Sequence, residues 1–453
     1  MQHKKSQPLN LLLVGGTIIT IITLASIWIF PVLTHHFELK IMDLKFNMRS
    51  SLEKEPEMSS DIVLVVLDDE SKISSGFKYI WPYEYYAETV KKITDGKPTS
   101  FAMDIILTKI ITCTVDSMGW ASLVDELSES YMAINPYMVK FGDVKEPLEI
   151  NAHRKFLNEL TTLEQLPNAG KGGMQHVKNI TYKTHSDIQD VSSGMGFVNI
   201  EVDGDGVLRR LPIVAELNGM VVPHFFLKLL FEHIGYKISN IELASPYKLL
   251  LHKFPDGDDV KTLEIPLDGN GNMLINYMSF DKIQYQQKKG EFYYYSAWPL
   301  IQHRKALNFQ GKTVLFGDNS LSARDSSPTP LDGELHNPLI FCIAMSNIIN
   351  ESFIKPIAGL ATIYQIIFLV TILLICATRI KAFEFGLLSI GILILYICIN
   401  FILFINNGLQ VQLLNVLIPV LTAASYLLIY SVYHSQVKMG VLEGSLQSYL
   451  SPH

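Results

Sequence analysis

The apolar positions of this chain follow two patterns. Four stretches are nearly unbroken apolar runs: Leu9–Leu33 near the start, and Ile357–Thr378, Ala382–Ile405 and Val411–Tyr433 at the end. Each reaches the roughly 20 residues that a helix needs to cross a hydrocarbon core. Between the first run and the second, roughly 320 residues follow the short periods of a globular domain. The first run is longer than the core of a secretory signal, and Phe30-Pro31-Val32-Leu33 is a poor cleavage site, so it reads as a retained anchor.

Within the globular stretch, Phe37, Ile41, Leu44 and Met48 are spaced four, three and four residues apart. That is a helical stripe, suited either to a seam between two copies of the helix or to packing on its own domain. Ile62–Leu67 is a continuous β-rich run ending in Asp68-Asp69, and Ser100–Ile106 is a second. A helix over Tyr83–Thr94, stopped at Asp95-Gly96, joins them, which predicts a βαβ unit with parallel strands. A third run, Lys312–Phe316, ends in Gly317-Asp318 and precedes a helix over Leu339–Ile349. In the middle, Gly196–Ile200 and Leu211–Val214 flank Asp203-Gly204-Asp205-Gly206, and Leu263–Pro266 and Met273–Tyr277 flank Asp268-Gly269-Asn270-Gly271. Both read as hairpins. A helix over Pro223–His233 would start on its proline and stop at Gly235. Ile110–Ser193 is the least regular part and reads as an insertion.

Basic residues set the orientation. His3, Lys4 and Lys5 precede the first run, Arg379 and Lys381 fill one short link, Lys438 follows the last run, and the Asn406–Gln410 link is uncharged. The positive-inside rule then predicts an inner-membrane protein with four transmembrane helices and both termini cytoplasmic. The segments are 1–8 inside, 9–33 membrane, 34–356 extracytoplasmic, 357–378, 382–405 and 411–433 membrane, and 434–453 a cytoplasmic linker. The expected fold is a mixed α/β domain, with a parallel core and hairpin additions, hung between these helices. The 48% hydrophobic content is what membrane spans add to such a domain, and a net charge of −7 gives no basic footprint for nucleic acid. Of the cysteines only Cys113 and Cys342 would be exported; they could form one bridge, or Cys342 could simply be buried in its apolar helix.

Asp68, Asp69, Asp104, Asp318 and Asp325 fall at the carboxyl ends of expected strands or in the loops beyond. Ligands of open α/β sheets bind at that edge. Three readings stay open: caps and turns, a ligand or ion pocket, or a catalytic metal site. No phosphate-binding glycine loop, nucleophile elbow or paired-histidine zinc motif is present, and no metal-ligand spacing or cofactor signature. Asp203-Gly204-Asp205-Gly206 opens like a calcium loop, but Val214 stands where the bidentate glutamate belongs. Of Arg209 and Arg210 just after it, one could turn inward onto a carboxylate or anion.

An ordered series of short elements runs through the domain. It begins with Phe37-Glu38-Leu39, Asp43-Leu44-Lys45-Phe46, Val65-Val66-Leu67-Asp68-Asp69-Glu70-Ser71, Trp81-Pro82 and Phe101-Ala102-Met103-Asp104. It continues with Gly196-Phe197-Val198-Asn199, Asp203, Asp205-Gly206, Arg209-Arg210, Pro212, Asn276-Tyr277 and Gly311-Lys312-Thr313-Val314 with Gly317. It closes with Asp325, Thr329-Pro330 and Gly333-Glu334-Leu335-His336. Over Phe37–Pro356 this order resembles the CHASE type-two extracytoplasmic sensor, a family in which three membrane helices follow the domain. The basic residue usual after Trp-Pro is missing, and Ile110–Ser193 matches poorly. Beyond the last span, Leu446-Gln447-Ser448-Tyr449-Leu450-Ser451-Pro452 is similar to the element preceding the catalytic domain of class III adenylate cyclases. An arbitrary short tail is the alternative reading.

The resemblance implies a receptor that detects a small extracytoplasmic ligand and relays it to a class III cyclase domain, in cis or as a split partner. The chain would be its sensory half, truncated or naturally ending at His453. Candidate ligand residues are Asp68, Asp69, Ser71, Trp81, Asp104, Arg209, Asp318 and Asp325, with Phe37, Ile41, Leu44 and Met48 as the stem of a homodimer. The alternative is a metal-dependent ectoenzyme, a hydrolase using the strand-end aspartates.

Overall fold

The computed structural model describes residues 15, 17, 21, 31–77, 81–110, 114–142, 161–162, 174–235, 241–253, 261–303, 307–357 and 359–450. The chain divides into two compact units, Arg49–Lys355, and Met1–Met48 together with Pro356–His453.

Five strands organise Arg49–Lys355: β1 (Ile62–Leu67), β2 (Ser100–Asp104), β3 (Ala133–Phe141), β4 (Tyr293–Ser296) and β5 (Thr313–Asp318). They lie in the order β4, β1, β5, β2, β3, every neighbouring pair parallel. All six residues of β1 are buried, as a strand covered on both faces requires. Val63, Val65, Leu67, Phe101, Met103, Val314 and Phe316 share one core with Trp81, Tyr86, Val90 and Trp120. The Asn337–Ile349 helix packs on β1 and β5, and the Phe225–Ile234 helix packs on β2 and β3.

β1 and β2 are parallel, as the βαβ reading expects, but β5 stands between them. A strand more than 200 residues away in sequence fills the gap, because its continuous apolar run needs cover on both faces. The two expected hairpins do not form. Arg210–Pro212 pairs with Asn272–Leu274, Gly194–Phe197 pairs with β3, and Lys261–Pro266 pairs with Lys248–Lys253. Each Asp-Gly loop instead closes on itself, through Asp203 N–H to Val207 O at 3.0 Å and Asp268 N–H to Asn272 O at 3.0 Å. Pro223 ends a strand rather than starting a helix; His224 caps the Phe225–Ile234 helix, which Gly235 stops at φ 73°.

The described part of Ile110–Ser193 is not an insertion. Its Thr114–Ser130 helix buries Trp120, Leu123 and Leu127 in the central core, and β3 extends the parallel sheet. Pro136 hid that strand, since a proline removes a ladder donor and argues against a sheet interior. Cys342 is a free, buried thiol, and Cys113 lies outside the described residues.

Among the described residues of the other unit, three helices are long and apolar enough to cross a membrane: Gly359–Arg379, Ala382–Asn407 and Leu414–Glu443. The last continues as helix to Leu450, well beyond the expected end of the span at Tyr433. The run Leu9–Leu33 lies almost entirely outside the described residues. After it, one helix covers Pro31–Ser51.

That helix buries two opposite charges two turns apart, Glu38 and Lys45. The Glu38 carboxylate accepts the N–H groups of Leu413, Leu414 and Asn415, so it caps the start of the last helix. Lys45 donates to Val411 O at 3.0 Å and Gln410 Oε1 at 3.3 Å, with the Phe401 and Phe404 rings nearby. Burial lowers the Lys45 ammonium to about 8, against the pull of Glu38. Phe37, Leu44 and Met48 lie exposed on the opposite side of the helix, with Ile41 between them half-buried.

Candidate functional site at the carboxyl edge of the sheet

Strand register brings the aspartates together. Leu67 pairs with Asp318, and Gly317 with Asp104, so Asp68, Asp318 and Asp104 arrive side by side at the edge where open α/β sheets bind ligands. Side chains alternate along a strand. Asp318 therefore shares the face of Val314 and Phe316, while Asp104 turns to the other face. The acidic edge is two half-sites, one on each side of the sheet.

On the first face, Lys72 is 4% exposed and donates to Asp318 Oδ2 at 3.2 Å, Ser320 Oγ at 2.7 Å and Ser322 Oγ at 2.8 Å. Lys72 sits on the Asp69–Ser74 helix, capped by Asp68, whose Oδ1 accepts Ser71 N–H at 2.8 Å. Asp68 Oδ2 accepts the Ser296 hydroxyl at 2.5 Å, which ties the ends of β1 and β4 together. Ser71 is buried, and its Oγ accepts Trp298 N–H at 3.1 Å. Asp69 accepts Leu321 N–H and so holds the loop after β5. Trp81 is buried below this edge, donating to Ser75 Oγ at 2.9 Å and lying against Tyr85 and Tyr86. Burial and the nearby Asp318 push the Tyr86 phenol upward.

The second face is drier. No described residue donates to Asp104 Oδ2, which is sealed from solvent. Burial first, and Asp325 second, hold the Asp104 carboxyl well above its ordinary range. Burial also raises Asp325, against an opposing hydrogen bond from Asn337 Nδ2 at 2.6 Å. Asn319 is buried; its Nδ2 donates to Tyr294 Oη at 3.2 Å, and its Oδ1 has no donor among the described residues. Gly317 is needed here: a Cβ on it would meet Pro338 Cγ at 2.6 Å, since the Asn337–Ile349 helix starts directly over this strand. Gly196 has the same role against the Phe225 backbone, 2.4 Å from where its Cβ would stand.

Arg209 belongs to another cluster. It is fully buried, chelating Asp205 through two bonds of 2.8 Å and reaching Asp203 at 3.0 Å. Arg210 joins Asp203 to Asp268, and so one self-closed loop to the other. The sequence-level idea of an inward arginine meeting a carboxylate holds for Arg209, and its carboxylates come from its own loop.

Sequence reasoning missed Lys72, Tyr294, Asn319 and Asn337. The first had a signal, standing four residues after Asp68 on the helix that Asp68 caps. It also missed a hub around Asn276. Arg49 donates to Asn276 Oδ1 at 2.5 Å, Asn276 Nδ2 donates to Ser352 O at 2.9 Å, and Asn347 bonds both backbone groups of Asn276. One asparagine thus joins the first residues of the domain to its last ones.

Chemically, the edge can hold a polar ligand or a proton. Among the described residues no group of three or more His, Cys, Asp or Glu side chains is arranged to hold a metal ion. The carboxylates are divided between two faces, and a lysine fills the centre of one of them.

A family model described as CHASE2 domain matches residues 17–378 of this chain. No curated protein and no solved structure gives a significant match.

Proposed function

The chain belongs to the CHASE2 domain family, and from that premise we propose that it is a membrane receptor subunit. Its extracytoplasmic domain takes a small polar ligand at the carboxyl edge of the sheet and passes the change inward to a class III cyclase. The observation that carries this reading is the edge itself. Buried polar groups, two of them with an oxygen lacking any described donor, line the ends of four parallel strands in a chain with three membrane-type helices among the described residues. Perturbed buried carboxyls of this kind concentrate at functional sites.

In this proposal Leu9–Leu33 is a fourth crossing, both termini are cytoplasmic in the inner membrane, and the cyclase is joined in cis or as a split partner. Two copies pair through Phe37, Ile41, Leu44 and Met48. The exposure of three of these four, opposite a buried face of the same helix, supports the pairing. A ligand drives the relay only if it binds one arrangement of the domain better than the other.

The test uses the full chain in lipid nanodiscs. A reporter after Lys381 should read as cytoplasmic and one after Asn407 as exported, and Ile41→Glu with Leu44→Glu should abolish crosslinked dimers. A ligand present at 100 times its Kd adds about 2.7 kcal/mol of stability, a shift that a thermal screen resolves. The ligand shift should vanish in Asp68→Asn. Divalent-metal-dependent phosphoester turnover that vanishes in the same variant would replace the receptor with an ectoenzyme.

A further inference from the structure

The second face of the sheet edge contains a carboxylic acid in a setting that disfavours its ion. Asp104 Oδ2 is sealed and has no described donor, whereas Asp318 on the neighbouring strand and Asp68 just beyond β1 each accept at least two hydrogen bonds. A buried carboxylate oxygen without a donor is costly, and taking up a proton removes the cost.

Its neighbour is fixed in place. Ser327 Oγ donates to Asn337 Oδ1 at 2.8 Å, which turns the amide so that its Nδ2 faces Asp325 Oδ1 at 2.6 Å. Asn337 N–H also binds Asp325 O at 3.0 Å. Asn337 leads into Pro338, which lies against Gly317, the residue paired with Asp104. Asp325 is therefore built to accept as an ion, and Asp104 to hold a proton.

Among the described residues no lysine or arginine is seen to pair with Asp104 or Asp325. From the Asp69–Ser74 helix, Lys72 spends its three bonds on Asp318, Ser320 and Ser322. Asp318 on β5 adds negative charge towards Asp325, and only His336, at the cap of the Asn337–Ile349 helix, opposes it. That helix also brings Cys342, held neutral by burial and by Asp104. Asp68, just beyond β1, is bound to Ser71 and Ser296, and β4 and β3 bring the neutral phenols Tyr294 and Tyr137. On the Phe225–Ile234 helix, Lys228 pairs with Glu232, and the cap His224 accepts from Phe226 N–H.

We propose that Asp104 and Asp325 form a proton-binding site through which the domain reads extracytoplasmic pH. The proton comes from bulk solvent and returns to it. Loaded, Asp104 is neutral and the segment from Asp325 to Asn337 closes over β2. Unloaded, two part-buried anions repel. β2 is bonded on both sides and stays, while the exposed turn Leu321–Arg324 lets the Asp325 segment move. The proposal rests on the receptor reading for its side of the membrane, and names the proton as a ligand of the same edge.

The test is made on the full chain in nanodiscs. Infrared spectra should show a protonated-carboxyl band at pH 7 that Asp104→Asn removes. Amide exchange over Asp325–Ile340, corrected for intrinsic rate, should be at least about tenfold faster at pH 8 than at pH 5. In Asp104→Asn, which resembles the loaded acid, exchange should stay slow at both pH values. Asp325→Asn relieves the same repulsion and serves as the second variant should the first not fold. A carboxyl band unchanged by either substitution, or exchange indifferent to pH, overturns the proposal. Failure of the receptor reading shows elsewhere, as topology reporters on the wrong side, and leaves the band and its exchange response intact.

Discussion

Replacing Arg209 with methionine separates a structural arginine from a ligand-binding one. The guanidinium is fully buried and makes two bonds to Asp205 and one to Asp203. Methionine keeps most of the volume and removes the charge. Asp205, its side chain 3% exposed, would lose both guanidinium bonds and keep Val207 N–H at 3.3 Å, whereas Asp203 would keep Arg210 at 3.1 Å. Removing one partner of a buried ion pair costs about 3–5 kcal/mol. With Asp203 still paired, the lower end applies, about 3 kcal/mol. For the Arg49–Lys355 unit that lowers the unfolding midpoint by about 5 °C. The midpoint is followed by near-ultraviolet circular dichroism on the detergent-solubilised chain without ligand. Asp205→Asn should return about 1–2 kcal/mol of the loss when combined with Arg209→Met, because it removes the stranded charge. A shift under about 2 °C for Arg209→Met would refute the reasoning and return Arg209 to the ligand candidates.

Two further outcomes follow from buried polar groups. Burial holds the His224 imidazole down to about 3. Because its folded pKa lies below the unfolded value near 6.5, its contribution is present above pH 6.5 and is lost as pH falls towards 3, by about 1.4 kcal/mol per unit. His224→Asn, which keeps a capping oxygen, should flatten the acid limb of a midpoint-against-pH series; an unchanged limb would exclude His224 as its source. Asn276→Ala takes the acceptor from Arg49 and the donor from Ser352 O, about 2–4 kcal/mol together. It should speed amide exchange near Arg49 and Ser352 in concert, and acceleration at one alone would break the hub.

The parallel core could be read from the chain because β1, β2 and β5 are continuous apolar runs ending in aspartate, a pattern that physical chemistry ties to a covered strand and its ligand edge. The strand order could not. Periodicity says nothing about which strand lies beside which, and Thr313–Asp318 entered between β1 and β2 from far along the chain. The hairpin readings failed at Asp203–Gly206 and Asp268–Gly271, where arginine clasps and self-closing loops replaced strand pairing. The strand-end aspartates were visible as candidates, but their division between two faces needed the register. Asn319 and Asn337 had no motif to announce them, since their roles depend on partners distant in sequence.

The Glu38 cap has a consequence for how the protein is made. The last helix exposes its first N–H groups until a carboxylate synthesised more than 370 residues earlier reaches them. In or near lipid, those groups have little water to turn to. The end of the chain thus carries a record of whether its beginning was placed correctly. A copy whose Pro31–Ser51 helix is misplaced leaves an uncapped helix and a homeless buried glutamate at once, and both are features by which membrane quality control can tell a faulty copy from a finished one.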